Sequence, residues 1–265
     1  MRRPSYHHGD LANALTVAAT QLARDGGPEA VVLREAARQV GVSATAAYRH
    51  FSGHGDLLHA VKGQAIDLLV ASLDAELART APLSDPAAEA ARRLRALGYG
   101  YLRFALAEPG LFRTAFCPPT RAEAADGAGP VLPVPSVPGD APRPADDDGP
   151  RRPASHAGPR RDGAAEAPHS DTAAEAPHSD GAAEAHPELA LVRPYLMLVD
   201  AVDAFVAAGL LPPERRPWAE VFAWSTVHGL AMLLLDGPLR TCSAAQREEA
   251  IERTLDGVAR GLATV

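Results

Sequence analysis

A short stretch between Ala36 and His50 carries the residue types and spacing that could recognise a DNA duplex. Gly41 lies where a sharp turn between two short helices would need a positive φ angle. The small Ala37 lies four residues earlier, where a second helix could cross closely. Ser43 follows the turn and could cap the second helix through its hydroxyl. The apolar residues spaced to hold the two helices together are Ala36, Val40, Val42 and Ala47. This pattern favours a helix-turn-helix over an ordinary helical hairpin.

A recognition helix places its first residues against base edges in the major groove, and later residues approach phosphates. Ala44 and Thr45 carry methyl groups suited to thymine, and Arg34 could reach a guanine edge or a phosphate. Tyr48 and His50 are placed for phosphates, although Tyr48 could instead be a core aromatic residue. The candidate DNA-contacting residues are Arg34, Ser43, Ala44, Thr45, Tyr48, Arg49, His50 and His54.

The charge of the chain is divided unevenly along its length. The 265 residues carry a formal net charge of −7, yet residues 1–63 hold 7 basic against 5 acidic side chains. This small positive excess is only a weak hint of an anionic partner. Arg2 and Arg3 could enter the adjacent minor groove, touch phosphates or be disordered.

Residues 118–187 differ in composition from the rest of the chain. They hold 14 of the 24 prolines, no aromatic residue, and 12 acidic against 6 basic side chains. A nine-residue repeat occupies 163–171 and 172–180, so that His169 and His178 recur nine apart. Such a segment cannot bury enough apolar surface to offset its chain entropy. We predict a disordered insert whose histidines were copied with the repeat, in preference to a metal site.

Outside the insert, apolar residues recur at helical spacing almost throughout, and no alternating strand pattern of useful length is present. The sequence therefore predicts an all-α protein with about nine helices. The predicted helical segments are 11–24, 33–40, 43–50, 56–73, 86–107, 111–116, 188–208, 216–235 and 244–262.

Several classes of protein are disfavoured by what the sequence lacks. The two cysteines, Cys117 and Cys242, are far apart, which excludes a disulfide framework and disfavours a cysteine-based zinc site. No signal peptide is visible, and the apolar stretch 221–235 is too short to span a membrane. Ser225 and His228 lack an acid partner, and no phosphate-binding glycine loop or HExxH motif occurs. We expect a cytoplasmic protein that is not an enzyme and that needs no cofactor or metal.

Two segments at the end of the predicted DNA-reading region resemble a known family. Residues 48–52 (Tyr-Arg-His-Phe-Ser) and 56–58 (Asp-Leu-Leu) are similar to the recognition-helix end of the tetracycline-repressor (TetR) family of bacterial transcriptional regulators. The segments 6–11 and 33–37 look like the same family. Farther on, 101–112 and 224–229 resemble the branch named for its Trp-His-Gly (WHG) motif.

The resemblance implies a domain plan and a way of working. Residues 1–55 would form a three-helix DNA-binding domain, and 56–265 a helical ligand-binding and dimerisation domain that contains the insert. A homodimer would bind a near-palindromic operator, and a small, mostly apolar effector would release it. This describes a one-component regulator, with repression the expected sign. The alternative is a ligand-sensing protein whose operator binding is weak or lost.

One position departs from the family pattern. The family usually has a lysine that contacts a phosphate where this chain has His54, between Gly53 and Gly55. A neutral histidine would hold a phosphate less firmly, and the two glycines would loosen the helix start. The sequence therefore predicts weaker and more pH-sensitive DNA binding.

In the resembling family the C-terminal helices form a ligand pocket and a dimer interface. Trp224 and His228 lie four residues apart and share one helical face, although His228 could equally be a core histidine bonded to a carbonyl. The candidate pocket residues are Tyr99, Leu102, Phe104, Phe112, Phe116, Met197, Phe205, Trp224 and His228. The candidates for a four-helix interface are Phe222, Leu230, Leu233, Leu234, Ile251, Leu255, Val258 and Leu262, and the sequence does not separate a dimer face from a core face.

Overall fold

The computed structural model describes residues 8–118 and 187–263, and the side chains within 11–118 and 192–263. The predicted insert lies outside these residues except at its two ends, and so do Arg2 and Arg3. Nine α-helices and three short 3₁₀ helices occur in the described part of the chain, which confirms the all-α prediction. The α-helices are α1 (His8–Gly26), α2 (Leu33–Val40), α3 (Ala44–Ala47), α4 (His54–Ala78), α5 (Pro86–Ala107), α6 (Pro109–Phe116), α7 (Pro187–Ala207), α8 (Ala219–Leu235) and α9 (Ala244–Ala263).

The first three helices pack through small side chains. Helix α1 contacts both α2 and α3, and Ala19, Ala36 and Ala47 are fully buried where these helices meet. Alanines allow short helices to approach closely, so this compact trio needs few large apolar residues. The small residues singled out in the sequence are therefore the ones that let the trio form.

Helix α4 connects the first three helices to the rest of the fold. Leu57 and Val61 are fully buried near its start, where it packs on α1, and Leu69 is fully buried farther along. The same helix contacts α5, α6 and α7. This one helix of 25 residues therefore packs both against the first three helices and against the helices that follow it.

Two helices are shorter than their predictions. Helix α3 contains only four α-helical residues, and Arg49 and His50 follow in a turn with bonds to the third residue back. Helix α8 begins at Ala219 rather than near 216, because Pro217 precedes it and Trp218 has a left-handed backbone with φ 67°. A left-handed residue cannot lie inside an α-helix, so the helix starts after it.

Close helix contacts in the larger half depend on glycines. Gly100 of α5 lies against the backbone of α4, where an added Cβ would come within 2.8 Å of the Leu73 Cα atom. The hydroxyl of Ser72 donates a hydrogen bond of 2.9 Å to the Gly100 carbonyl at the same crossing. A Cβ on Gly98 would overlap the side chain of Leu255 in α9. The two glycines let α5 pack tightly between α4 and α9.

Candidate DNA-binding surface and effector cavity

The turn between α2 and α3 has the backbone that the sequence predicts. Gly41 has φ 78° and ψ 27°, in the left-handed region that favours glycine. Its N–H donates to the Arg38 carbonyl at 3.2 Å, and the Val42 N–H donates to the Ala37 carbonyl at 3.0 Å. These bonds satisfy carbonyls at the end of α2 and direct the chain into α3.

Helix α3 is capped by Ser43 and has an inner and an outer face. The Ser43 hydroxyl oxygen accepts a hydrogen bond from the Ala46 N–H at 3.2 Å. Ala47 is buried against the other helices, whereas Thr45 is exposed. The exposed face of α3 is therefore available to a groove.

Most of the eight predicted DNA-contacting residues are exposed. Arg34, Ser43, Thr45, Tyr48, Arg49 and His54 are exposed, and Ala44 and His50 are half-buried. Tyr48 has 46 % of its surface exposed, so it is not a core aromatic residue. Within the described chain, Arg34 and Arg49 pair with no carboxylate, whereas Arg38 is paired with Glu35 at 2.6 Å. Two guanidinium groups thus remain available to phosphates or bases.

The start of α4 is held more firmly than its two glycines suggested. The His54 Nδ1 atom lies 2.8 Å from the Val31 carbonyl oxygen. The Ser52 N–H donates to an Asp56 carboxylate oxygen at 2.9 Å, and the Ser52 hydroxyl donates to the same oxygen. These bonds from Ser52 lower the pKa of Asp56. They also tie down the segment that carries His54, contrary to the expected loosening.

A cavity of about 210 Å³ lies at the centre of the larger half of the fold. Residues of six helices, α4 to α9, line the cavity, and most of them are apolar. Four wall residues carry hydrogen-bonding groups: Arg95, Tyr101, Tyr195 and Trp224. An apolar cavity with a few polar groups is the usual form of a small-molecule site.

Tyr101 joins two of the predicted pocket residues. Its hydroxyl oxygen accepts a hydrogen bond from Trp224 Nε1 at 3.3 Å and lies 2.7 Å from His228 Nδ1. Burial raises the pKa of Tyr101 and lowers that of His228. Both shifts favour the neutral forms, so this part of the wall carries no charge at neutral pH.

The other two polar wall residues are bound to charged partners. Arg95 pairs with Glu252 and Asp256 of α9. The Tyr195 hydroxyl donates to Glu220 at 3.2 Å, and burial together with the Glu220 charge raises the pKa of Tyr195 to about 12. Glu220 is only 2 % exposed and pairs with Arg216.

The structure brings two of the nine predicted pocket residues to the cavity wall, Phe116 and Trp224. His228 lies behind them, with its ring centroid 5.2 Å from that of Phe116. Tyr99 instead packs against two guanidinium groups, those of Arg95 and Arg103. The remaining five lie in the core or are half-buried away from the wall: Leu102, Phe104, Phe112, Met197 and Phe205. Ligand contact by any of the nine stays a prediction.

Most wall residues were not among the predicted pocket residues, and the two tyrosines of the wall, Tyr101 and Tyr195, are the most important omissions. Tyr101 lies on the apolar stripe of its helix with Leu94, Leu97 and Ala105, a pattern that predicts a core position and does not single out a cavity residue. Tyr195 follows Pro194 in α7, and both line the cavity. The ring centroids of Tyr195 and Trp224 lie 6.1 Å apart. No spacing pattern in the sequence links these two residues.

Helix α6 touches both the cavity and α1. Ala115 and Phe116 at its end line the cavity. At its start, a Cβ on Gly110 would overlap the carbonyl oxygens of Ala23 and Arg24. Arg24 also pairs with Glu108 at 2.8 Å, just before α6 begins. This helix is a direct mechanical connection between the cavity and the first three helices.

Neither a membrane-spanning helix nor a metal-binding cluster occurs in the described part of the chain. None of its helices has the length and apolar character needed to cross a membrane. Across residues 8–118 and 187–263, no cluster of histidine, cysteine and carboxylate side chains could hold a metal ion.

Two of the solved structures that match this chain show how far the similarity extends. A protein with unknown function from Rhodococcus sp. RHA1 is 23 % identical, with a TM-score of 0.60 over 99 % of this chain and 100 % of that one. A TetR transcriptional regulator from Streptomyces coelicolor is 20 % identical, with a TM-score of 0.41 over 96 % and 99 %. No curated protein matches the chain.

Two family descriptions match separate parts of the sequence. Residues 15–61 match the bacterial regulatory proteins of the tetR family, and these residues include α2, α3 and the start of α4. Residues 161–258 match the tetracyclin repressor-like C-terminal domain, which includes the described helices α7 and α8. The chain therefore carries the N-terminal DNA-binding domain of the TetR family and a TetR-type C-terminal domain.

Proposed function

We propose that the protein is a one-component transcriptional repressor that binds a near-palindromic operator as a homodimer and is released by a small, mostly apolar effector. The observation that carries the proposal is the presence, in one chain, of an exposed recognition helix and an apolar cavity. The regulator acts where the chromosome is, in the cytoplasm, and catalyses no reaction.

The exposed face of α3 supports DNA binding. Thr45 and Ala44 stand at the start of the helix, where side chains meet base edges. Arg34 and Arg49 supply positive charge, and the Ser43 hydroxyl keeps a proton to donate after accepting the bond from Ala46. Base readers and phosphate-binding groups thus share one surface, as recognition of a sequence requires.

The exposed face of α8 supports dimerisation. Of the eight interface candidates, six are buried in the core of the protomer: Leu230, Leu234, Ile251, Leu255, Val258 and Leu262. The other two, Phe222 and Leu233, are exposed at 46 % and 44 %. Trp218 and Met232 extend the exposed apolar surface of the same helix. A second copy is the partner that would cover it and place two recognition helices about 34–36 Å apart.

Helix α6 supports coupling between effector and operator. An effector shifts the balance between two conformations only by binding one of them more tightly. A molecule in the cavity contacts Phe116, and movement of α6 is passed to α1 through Gly110 and the Arg24–Glu108 pair. A coupling of about 1–3 kcal/mol is typical of such linked sites.

The region of Trp224, His228 and Gly229 supports placement in the WHG branch. Trp224 is a wall residue, and both Trp224 and His228 contact the Tyr101 hydroxyl. The motif thus belongs to the effector site rather than to a catalytic one.

Selection of bound fragments from a random DNA pool, at low salt, tests the proposal. We expect enrichment of one near-palindromic sequence, and a band of a dimer on that sequence in a gel-shift assay. Enrichment of single half-sites would contradict the symmetric dimer. No shift on any duplex at low salt would favour the alternative, a ligand-sensing protein that has lost operator binding.

A further inference from the structure

The cavity wall indicates the chemical class of the effector, an inference that rests on the proposed function. We propose that the effector is a neutral molecule of one or two rings that carries one hydrogen-bond donor, and that this donor binds the Tyr101 hydroxyl oxygen. Its size follows from the cavity of about 210 Å³. An apolar cavity of about 150 Å³ already accepts a benzene ring.

The positions of the protons around Tyr101 indicate that the effector carries a hydrogen-bond donor. Trp224 Nε1 can only donate, so the Tyr101 oxygen accepts that bond. If His228 Nδ1 also donated, the Tyr101 proton would have no acceptor in the buried wall, which is costly. The Tyr101 hydroxyl therefore donates to His228 Nδ1, and burial keeps that ring neutral by lowering its pKa. One lone pair of the Tyr101 oxygen remains, and it can only accept.

The neutral charge of the effector follows from the other polar wall residues. Arg95 is bound by two carboxylates, Glu252 and Asp256, and Asp256 also pairs with Arg260, so the charge of Arg95 is already neutralised and is not free to bind an anionic effector. The Tyr195 hydroxyl is engaged by Glu220, whose carboxylate is itself bound by Arg216. Among the described wall residues no charged group remains unpaired to receive an ionised ligand. Burial of an unpaired charge is strongly unfavourable.

Calorimetric titration of the full-length protein with matched probes tests this inference. The probes are 4-ethylphenol, which has a donor, ethylbenzene, which has none, and 4-ethylbenzoate, which is an anion. We expect Tyr101→Phe to weaken binding of 4-ethylphenol by about fivefold to tenfold. Ethylbenzene should bind the same variant as it binds the original protein, which shows that the cavity is intact.

Tyr195→Phe is the comparison variant, because it removes the other wall hydroxyl, whose proton is donated to Glu220 and whose oxygen could accept the same donor. If the effector donor binds Tyr101, this variant binds 4-ethylphenol as the original protein does, and a larger loss in Tyr195→Phe than in Tyr101→Phe would overturn the inference. An equal loss for 4-ethylphenol and ethylbenzene in Tyr101→Phe would overturn the inference. So would binding of 4-ethylbenzoate as tight as that of 4-ethylphenol, or a failure of every probe to bind.

A gel-shift assay on the selected operator, with and without 4-ethylphenol, separates the two proposals. Tyr101-dependent binding of 4-ethylphenol by a protein that binds no DNA would support the effector class and contradict the repressor. Operator binding by a protein that takes up no ring compound would support the repressor and contradict the effector class.

Discussion

The proton on His54 decides whether the start of α4 can bind a phosphate. The Val31 carbonyl can only accept, so His54 Nδ1 carries a proton. In the neutral ring the second nitrogen, Nε2, then presents a lone pair, which repels a phosphate. A positively charged side chain with an N–H at the same place would instead attract the phosphate.

We expect His54→Lys to bind the operator about tenfold more tightly than the original protein, because a charged hydrogen bond replaces a repulsive contact. His50→Lys should not give the same gain, which separates the two histidines. Binding isotherms at constant ionic strength measure the effect, and equal affinities for His54→Lys and the original protein contradict this role for His54.

Tyr48 and Thr45 differ in what they are expected to touch. Loss of the Tyr48 hydroxyl in Tyr48→Phe should weaken binding to all sequences by a similar factor, since phosphates carry no sequence information. Thr45→Ala removes a methyl and a hydroxyl at the base-reading end of α3, and should change which operator is preferred. Repeating the selection from a random pool with each variant measures both effects. Identical behaviour of the two variants would contradict the assignment.

Tyr99 and Tyr101 show what the sequence cannot predict about single residues, namely which inward side chain lines a cavity. Two residues along a helix are about 200° apart around its axis, so the side chains point in nearly opposite directions. The apolar stripe predicted that Tyr101 is inward, and Tyr101 is buried. Which inward residue meets a cavity depends on how six helices leave space between them. No spacing within one helix contains that information.

At the scale of elements, local sequence signals predicted which segments are helical more accurately than the residues at which each helix begins and ends. Gly41 and Ser43 define the turn and cap of α3 because both act on the neighbouring backbone. The left-handed Trp218, by contrast, delays the start of α8 without any glycine to announce it. A bulky residue adopts that backbone only when surrounding contacts hold it there. Pro217 was the visible signal for the later start, whereas the left-handed backbone of Trp218 was not visible in the sequence.

Two glycine substitutions are expected to have opposite effects on stability, because Gly110 lies at the contact between α6 and α1 and Gly63 lies in open space. Gly110→Ala adds a Cβ that overlaps two carbonyl oxygens of α1, so the helices must separate. We expect this change to lower the free energy of unfolding by about 1–3 kcal/mol. Gly63→Ala, inside α4, adds a Cβ with nothing within 4 Å and should raise it by about 0.5–1 kcal/mol.

Chemical denaturation of each variant measures these differences in the free energy of unfolding. Release of the operator by effector supplies a second measurement, because Gly110→Ala alters the connection between the cavity and α1. We expect a changed effector response in Gly110→Ala and an unchanged one in Gly63→Ala. Equal stabilities for the two variants would show that α6 does not press on α1.

At the scale of the whole molecule, α4 and α6 make the two functional regions of the protomer one structural unit. The buried face of α4 continues from Leu57, beside α1, to Leu73 in the cavity wall. The first three helices therefore share their core with the helices that enclose the cavity. The sequence implied separate domains at 1–55 and 56–265, a boundary that stays a prediction. A shared core allows occupancy of the cavity to influence the position of α3.

Assembly of two protomers is the last requirement for reading a palindrome, and the exposed leucines of the protomer provide a matched test. Leu233 of α8 is 44 % exposed on the proposed interface, and Leu68 of α4 is 38 % exposed on another helix. Leu233→Glu puts two like charges into a buried apolar contact, which costs several kcal/mol, whereas Leu68→Glu adds a solvated charge. We expect sedimentation to find monomers of Leu233→Glu and dimers of Leu68→Glu, both with unchanged helix content.

The monomer should lose cooperative operator binding, since one recognition helix contacts only half of the site. A dimer that persists in Leu233→Glu and in Phe222→Asp would place the interface elsewhere on the molecule.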